Sequence, residues 1–195
     1  MENKNHKVGL IVVSTGQYTK YLDQFITTFK KFFFEGQADL YIFTDKDIKQ
    51  EDNIKVIPVK HLGWPVMPLL QAELVNKYRH ILKNKYLFLI DGDVYFNRHV
   101  RDEILSPLTA VLHRNIERKR EAFNYETRLE STAAILPNEG DKYFIGGLYG
   151  GERIEFFSMI DEISNNIRID IEKGIREFGE MKAMLIDILL IIFLK

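Results

Sequence analysis

One stretch constrains this chain more than any other: KYLFLIDGDVYF, residues 85–96. An uncharged run, Leu87 to Ile90, leads straight into two aspartates separated by one glycine. A short aliphatic and aromatic run of this kind reads as a buried strand of a sheet covered on both faces. Open α/β sheets place ligands at the carboxyl ends of their strands, which is where Asp91 and Asp93 would stand. Gly92 would let the backbone turn tightly between them. Two close carboxylates repel each other unless a cation sits between them. Hard divalent ions take such oxygen ligands and share them with substrate phosphates. The plainer reading is a polar turn, since Asp-Gly is a common turn dipeptide.

A second carboxylate chemistry uses a similar pattern. Phosphatases of the haloacid-dehalogenase type carry D-x-D followed by Thr or Val on their first strand, the first Asp being the nucleophile. Here Tyr95 stands in the Thr/Val place and the motif lies mid-chain, which disfavours that chemistry. Composition narrows the class further. At 195 residues, 46% hydrophobic and 28% charged, the chain has material for one globular domain. A net charge of −1 provides no basic field for nucleic acid. The absence of cysteine removes disulfide and thiolate chemistry. The polar start, MENKNHKVGLIVV, has too short an apolar run for a signal peptide or a membrane span.

Around the central motif the pattern alternates strand and helix, the mark of a parallel α/β sheet. Residues 8–13 read as a first buried strand ended by Ser14-Thr15-Gly16. A helix follows, with Tyr18, Leu22, Phe25, Ile26 and Phe29 on one stripe. Further strands are expected at 40–43, 54–59 and 107–113, and helices at 69–82 and 154–167. Two glycine pairs, Gly146-Gly147 and Gly150-Gly151, sit among aromatics and allow close backbone approach or sharp bends. Arg118, Lys119 and Arg120 form a basic cluster whose plain reading is a solvated face.

Three ordered segments, FLIDGDVYF, REAFNYETR and EGDKYFIGGLYGG, resemble the hallmarks of glycosyltransferase family 6 in order and spacing. This family holds the histo-blood-group A and B transferases, the α-1,3-galactosyltransferases and small bacterial relatives. The resemblance covers residues 8–175 and includes VGLIVVSTGQY, LYIFTD and HVRDEILSPLTAVLH. It implies an α/β GT-A fold, Rossmann-like, with a mainly parallel central sheet flanked by helices. It further implies retaining transfer of galactose or N-acetylgalactosamine from a UDP-sugar to a β-galactoside in α-1,3 linkage. By position, Asp91 and Asp93 would hold Mn²⁺ (or Mg²⁺), with Asp91 also at the donor. Tyr18 matches the tyrosine beside the uracil ring, and Val13 and Thr15 match neighbouring nucleoside contacts. Ile145 and Gly147 match the pair that sorts galactose from N-acetylgalactosamine; a glycine at the second leaves room for an acetamido group. His113 and Asn124 match acceptor contacts. Taken alone, each residue has a plainer role: Tyr18 as a helix core residue, His113 as a strand end, the glycines as strand geometry. The expected partners are a UDP-sugar and a galactoside glycan, with no nucleic acid and no amino-terminal membrane anchor. A cytoplasmic, bacterial-type protein fits this reading, and peripheral membrane association is compatible with it.

The sequence departs from the family pattern twice. No arginine lies between Trp64 and Tyr78, where the family carries one near the donor; Leu69, Leu70 and Gln71 stand there instead. After residue 175 the family continues with a tryptophan and DESH, whose glutamate faces the reacting anomeric carbon. This chain reads REFGEMKAMLIDILLIIFLK. Read one base earlier, one choice of synonymous codons for Glu177 onward translates as IWGDESHVNRYFIDYLFE, and Met181-Lys182 forces the glutamate codon of that reading whatever synonyms are used. The expectation is therefore a GT-A domain over residues 1–176 and an out-of-frame apolar tail over 177–195. No catalytic residue is identified in this frame, and transfer is expected to be impaired. The alternative is a catalytically dead remnant that binds UDP and metal.

Overall fold

The computed structural model describes residues 7–63, 66–113, 125–137, 139 and 142–175. Trp64, residues 118–120, Asn124 and the stretch assigned to a shifted frame lie outside the described residues. The fold is α/β, with a six-stranded sheet flanked by helices. In chain order the elements are β1 (Val8–Val13), a 3₁₀ turn (Gly16–Tyr21), α1 (Leu22–Phe32), β2 (Asp39–Thr44) and β3 (Ile54–Pro58). They continue with α2 (Val66–Leu69), α3 (Gln71–Lys77), β4 (Tyr86–Asp91), β5 (Leu108–Leu112), β6 (Phe144–Glu152) and α4 (Arg153–Glu172). The strand order is β3-β2-β1-β4-β6-β5. The first four strands pair in parallel, while β6 runs antiparallel to both β4 and β5.

The central strands are mostly apolar because both of their faces are covered. Alternate residues of β1, β2 and β4 point to opposite sides, as the two-residue period of a strand requires. Ile11, Tyr41, Phe43, Leu87 and Leu89 join Phe156, Ile160 and Ile163 of α4 in one core cluster. Leu10, Val12, Leu40, Ile42, Phe88 and Ile90 join Leu22, Phe25 and Phe29 of α1 in the other. Fully burying one such side chain stabilises the fold by about 1.5–3 kcal/mol, so the two layers fix β4 in the middle of the sheet.

Two helices differ from their sequence expectation. The stripe assigned to one helix from Tyr18 divides into the 3₁₀ turn and α1. Gly16 takes φ +58, and the Thr19 hydroxyl donates to the Gly16 carbonyl at 2.8 Å, which tightens the chain before the α-helix begins. Tyr18 is consequently 41% exposed rather than a core residue. The helix expected over 69–82 starts earlier and ends earlier. It bends at Leu70 (φ −89, ψ 4) and gives way after Lys77 to turns through Ile81. Its path is nevertheless continuous: Leu70 N–H donates to Val66 and Leu74 N–H to Leu70, at 3.0 and 2.8 Å. The segment read as 154–167 is helical from Arg153 to Glu172.

Both glycine pairs lie inside a single strand, β6. Gly150 is opposite Phe88, and a side chain on it would drive into the Leu87 carbonyl and to 2.6 Å from Phe88 Cα. The close approach of β6 to β4 therefore depends on glycine there.

Candidate functional site

The carboxyl ends of β1 and β4 lie side by side, with Val13 opposite Asp91 in the parallel register. Both strands stop there, and their next residues turn into a cavity of about 810 Å³. That is within the size range of small-molecule and cofactor sites, and it lies where an open parallel sheet offers a crevice.

One side of the cavity is built by the turn after β1. Ser14 N–H continues the ladder to the Phe43 carbonyl at 2.9 Å, and Gly16 N–H donates to Asp45 Oδ1 at 2.9 Å. Thr15 is 4% exposed, and its hydroxyl lies 2.9 Å from His61 Nδ1. The His61 ring rests against Gly16, where an added Cβ would come within 2.6–2.9 Å of the imidazole. Tyr18 follows on the wall, its backbone N–H held by the Thr15 carbonyl at 3.2 Å.

The carboxylate side is built by β4. Asp91 is its last residue, and Val94 N–H reaches back to the Asp91 carbonyl at 3.4 Å. Gly92 is buried, and a Cβ on it would come within 3.0 Å of Ser14. Asp91 retains exposed surface while protein atoms crowd its carboxyl group, and Asp93 stands beside it. Burial first, and the Asp93 charge second, push its pKa from the ordinary 3.8 up to about 6. Among the described residues no cation pairs with either carboxylate. Nor does any group of three metal-ligating side chains form among them. Two carboxylates without a counter-charge, one held reluctant to ionise, are a donor set suited to a hard cation that completes its shell with substrate oxygens.

The structure thus brings Val13, Thr15, Tyr18, Asp91, Asp93, Ile145 and Gly147 onto one cavity. Gly147 enters from β6: its Cβ position is 3.8 Å from Asp91 Oδ2 and 3.6 Å from Ile145 Cδ1. His113 is not among the lining residues. It follows the end of β5, its backbone N–H donating to Tyr143 at 2.8 Å. Its ring meets the Tyr143 ring edge-on at 5.8 Å, and Tyr125 packs on Tyr143 in the same way at 5.3 Å. Asn124 lies outside the described residues. Sequence reading missed His61, Gln17, Met67 and Pro68, which also line the cavity. His61 comes from the connection after β3, Gln17 from the short 3₁₀ turn and Met67 and Pro68 from the four-residue α2, so no sequence period marks them. Gln71, 8% exposed, lines it as well, in the neighbourhood singled out for lacking an arginine.

Residues 1–189 match the sequence pattern of glycosyltransferase family 6. The chain belongs to this family. It is 33% identical over 185 residues to histo-blood group ABO system transferase 1 of Rattus norvegicus, covering 84% of this chain and 53% of that protein. Globoside alpha-1,3-N-acetylgalactosaminyltransferase 1 of Canis lupus familiaris is 30% identical over 186 residues, 88% of this chain and 53% of the relative. Glycosyltransferase 6 domain-containing protein 1 of Mus musculus is 28% identical over 191 residues, covering 91% and 61%. The chain spans little more than half the length of these curated relatives. For a family 6 chain, the α/β sheet with its crevice at the ends of β1 and β4 is the expected GT-A-like layout. Among the described residues no helix is long and apolar enough to cross a membrane.

Proposed function

We propose that this cavity binds a UDP-sugar with a divalent cation, Mn²⁺ or Mg²⁺, held by Asp91 and Asp93. The proposed reaction is retaining transfer of galactose or N-acetylgalactosamine to a β-galactoside, forming an α-1,3 bond. The observation that carries this reading is the meeting of Asp91 and Asp93, which no cation pairs among the described residues, with Val13, Thr15 and Tyr18 on one cavity. The relatives' names add support: two of those cited are a globoside N-acetylgalactosaminyltransferase and a histo-blood group transferase.

Each residue has a physical task in this reading. Tyr18 presents an exposed ring on which a planar base can rest. Val13 and Thr15 wall the nucleoside end. Asp91 and Asp93 would hold the cation against the diphosphate, and a bound cation supplies Lewis-acid stabilisation of the charge that grows there as the sugar leaves. Ile145 and Gly147 border the sugar. A Cβ at Gly147 would meet only ordinary contacts of 3.6–4.0 Å, so the glycine leaves open space beside Asp91. That space favours N-acetylgalactosamine over galactose. His113 and Asn124 are proposed acceptor contacts, His113 through its place on the Tyr143 edge.

The proposal includes a shifted reading frame after about residue 176, because one choice of synonymous codons, read one base earlier, spells the motif DESH that is absent as translated, and its glutamate codon follows from any codons for Met181-Lys182. In this frame the chain would bind donor and cation but transfer weakly or not at all. Two experiments test the proposal. Resequencing the gene through the Ile171 codon and onward should reveal one additional base; an unchanged sequence contradicts the shifted frame. Incubating the restored-frame chain with lactose, MnCl₂ and either UDP-N-acetylgalactosamine or UDP-galactose should give an α-1,3-linked trisaccharide. Absence of product with both donors contradicts the transferase reading.

A further inference from the structure

The cavity carries two carboxylates, and a nucleoside diphosphate would add more negative charge. Among the described lining residues, His61 alone has a side chain able to carry positive charge; there is no lysine or arginine.

His61 is built into the wall. It follows β3 in a connection whose backbone turns at Gly63, φ +75. Its Nδ1 is taken by the buried Thr15 hydroxyl at 2.9 Å. Gly16 provides the recess for its ring, since any side chain there would overlap the imidazole. One nitrogen is therefore occupied and the ring is oriented. No described protein group takes Nε2, and the residue is exposed on the cavity.

We infer that His61 is an anion-contacting residue of this cavity, donating an N–H and a positive charge to the bound diphosphate nucleotide. The inference rests on the UDP-sugar reading of the cavity and adds to it the protein group that offsets the ligand's charge. In the imidazolium form Nδ1–H donates to Thr15 Oγ1 and Nε2–H is directed to the ligand. The cation held by Asp91 and Asp93 would neutralise one part of the diphosphate nucleotide; His61 contributes from the connection after β3. Thr15 acts here as the group that fixes the ring, in addition to walling the nucleoside end.

The test compares a charged with an uncharged ligand. Titration calorimetry at pH 6.5 with MnCl₂ measures UDP and uridine binding to the full chain and to its His61→Gln and His61→Lys variants. His61→Gln should weaken UDP roughly fivefold and leave uridine about unchanged, the scale of a solvent-accessible charge contact. His61→Lys, which keeps a cation, should recover most of the UDP affinity. Unchanged UDP binding in His61→Gln overturns the inference. So does a parallel loss of UDP and uridine in both variants, since that would mark ring packing on Gly16 rather than charge. Failure of the unsubstituted chain to bind UDP overturns the inference together with the donor reading; normal UDP binding there with no effect of either variant overturns the inference alone.

Discussion

Gly147 on β6 faces Asp91 at the end of β4, with 3.8 Å between its Cβ position and Asp91 Oδ2. Two strands of opposite direction thus deliver a carboxylate and an absent side chain to one point of the cavity. Filling that point should change which sugar fits. We expect Gly147→Ala to lower use of UDP-N-acetylgalactosamine relative to UDP-galactose by about tenfold, since one added methyl group discriminates by about 1–3 kcal/mol. Competition of the two nucleotide sugars for the donor site reads the ratio. An unchanged ratio would remove Gly147 from sugar selection.

The raised pKa of Asp91 has a definite sign for stability. A carboxyl group whose folded pKa lies above its unfolded value contributes stability that is complete below the unfolded pKa. That contribution disappears as pH rises through the folded pKa, here from about 4 to about 6. Metal-free chain should therefore lose thermal stability across this window, and Asp91→Asn should lose less. Added Mn²⁺ requires the carboxylate, so its stabilising effect should grow as pH rises from 5 to 7.5. Thermal melts at these pH values, with and without MnCl₂, check both trends. Metal stabilisation that is larger at pH 5 would contradict the assignment.

Gly150 makes a structural prediction independent of chemistry. Its missing side chain lets β6 lie against Leu87 and Phe88. Gly150→Ala should destabilise the fold by about 1–3 kcal/mol, the usual cost of overpacking, and lower the denaturation midpoint. Phe88→Ala, which empties part of the core beside α1, should cost about 3–5 kcal/mol. Chemical denaturation followed by circular dichroism measures both. A neutral Gly150→Ala would show that β6 can move away from β4.

Five strands of the sheet were legible in the sequence as short apolar runs ended by polar turns; β6, nine residues with four glycines, carries no such pattern. Residues 8–13 match β1, the run 87–90 lies within β4, and the ends of these strands locate Thr15, Asp91 and Asp93. The cavity lining was legible where a motif marks it: Asp91 and Asp93, Tyr18, and Gly146 and Gly147 of β6. Local geometry was less so. Tyr18 fits a helical stripe, yet Gly16 at φ +58 places it in a 3₁₀ turn and leaves it on the cavity wall. Periodicity carries no information on φ, so the core reading of Tyr18 and its cavity position look alike in sequence. His61 had no motif at all. Its position follows from the length of the connection after β3 and from the recess at Gly16, both tertiary facts. His113, placed by resemblance with the acceptor, stands on Tyr143 and outside the described cavity lining.

The most direct test of the account is calorimetric titration of UDP into the chain with and without MnCl₂, repeated with Asp91→Asn and Asp93→Asn. The account predicts Mn²⁺-dependent UDP binding that each substitution weakens by at least about tenfold, the scale of losing a charge-assisted contact. UDP binding that is indifferent to Mn²⁺ and to both substitutions would contradict it.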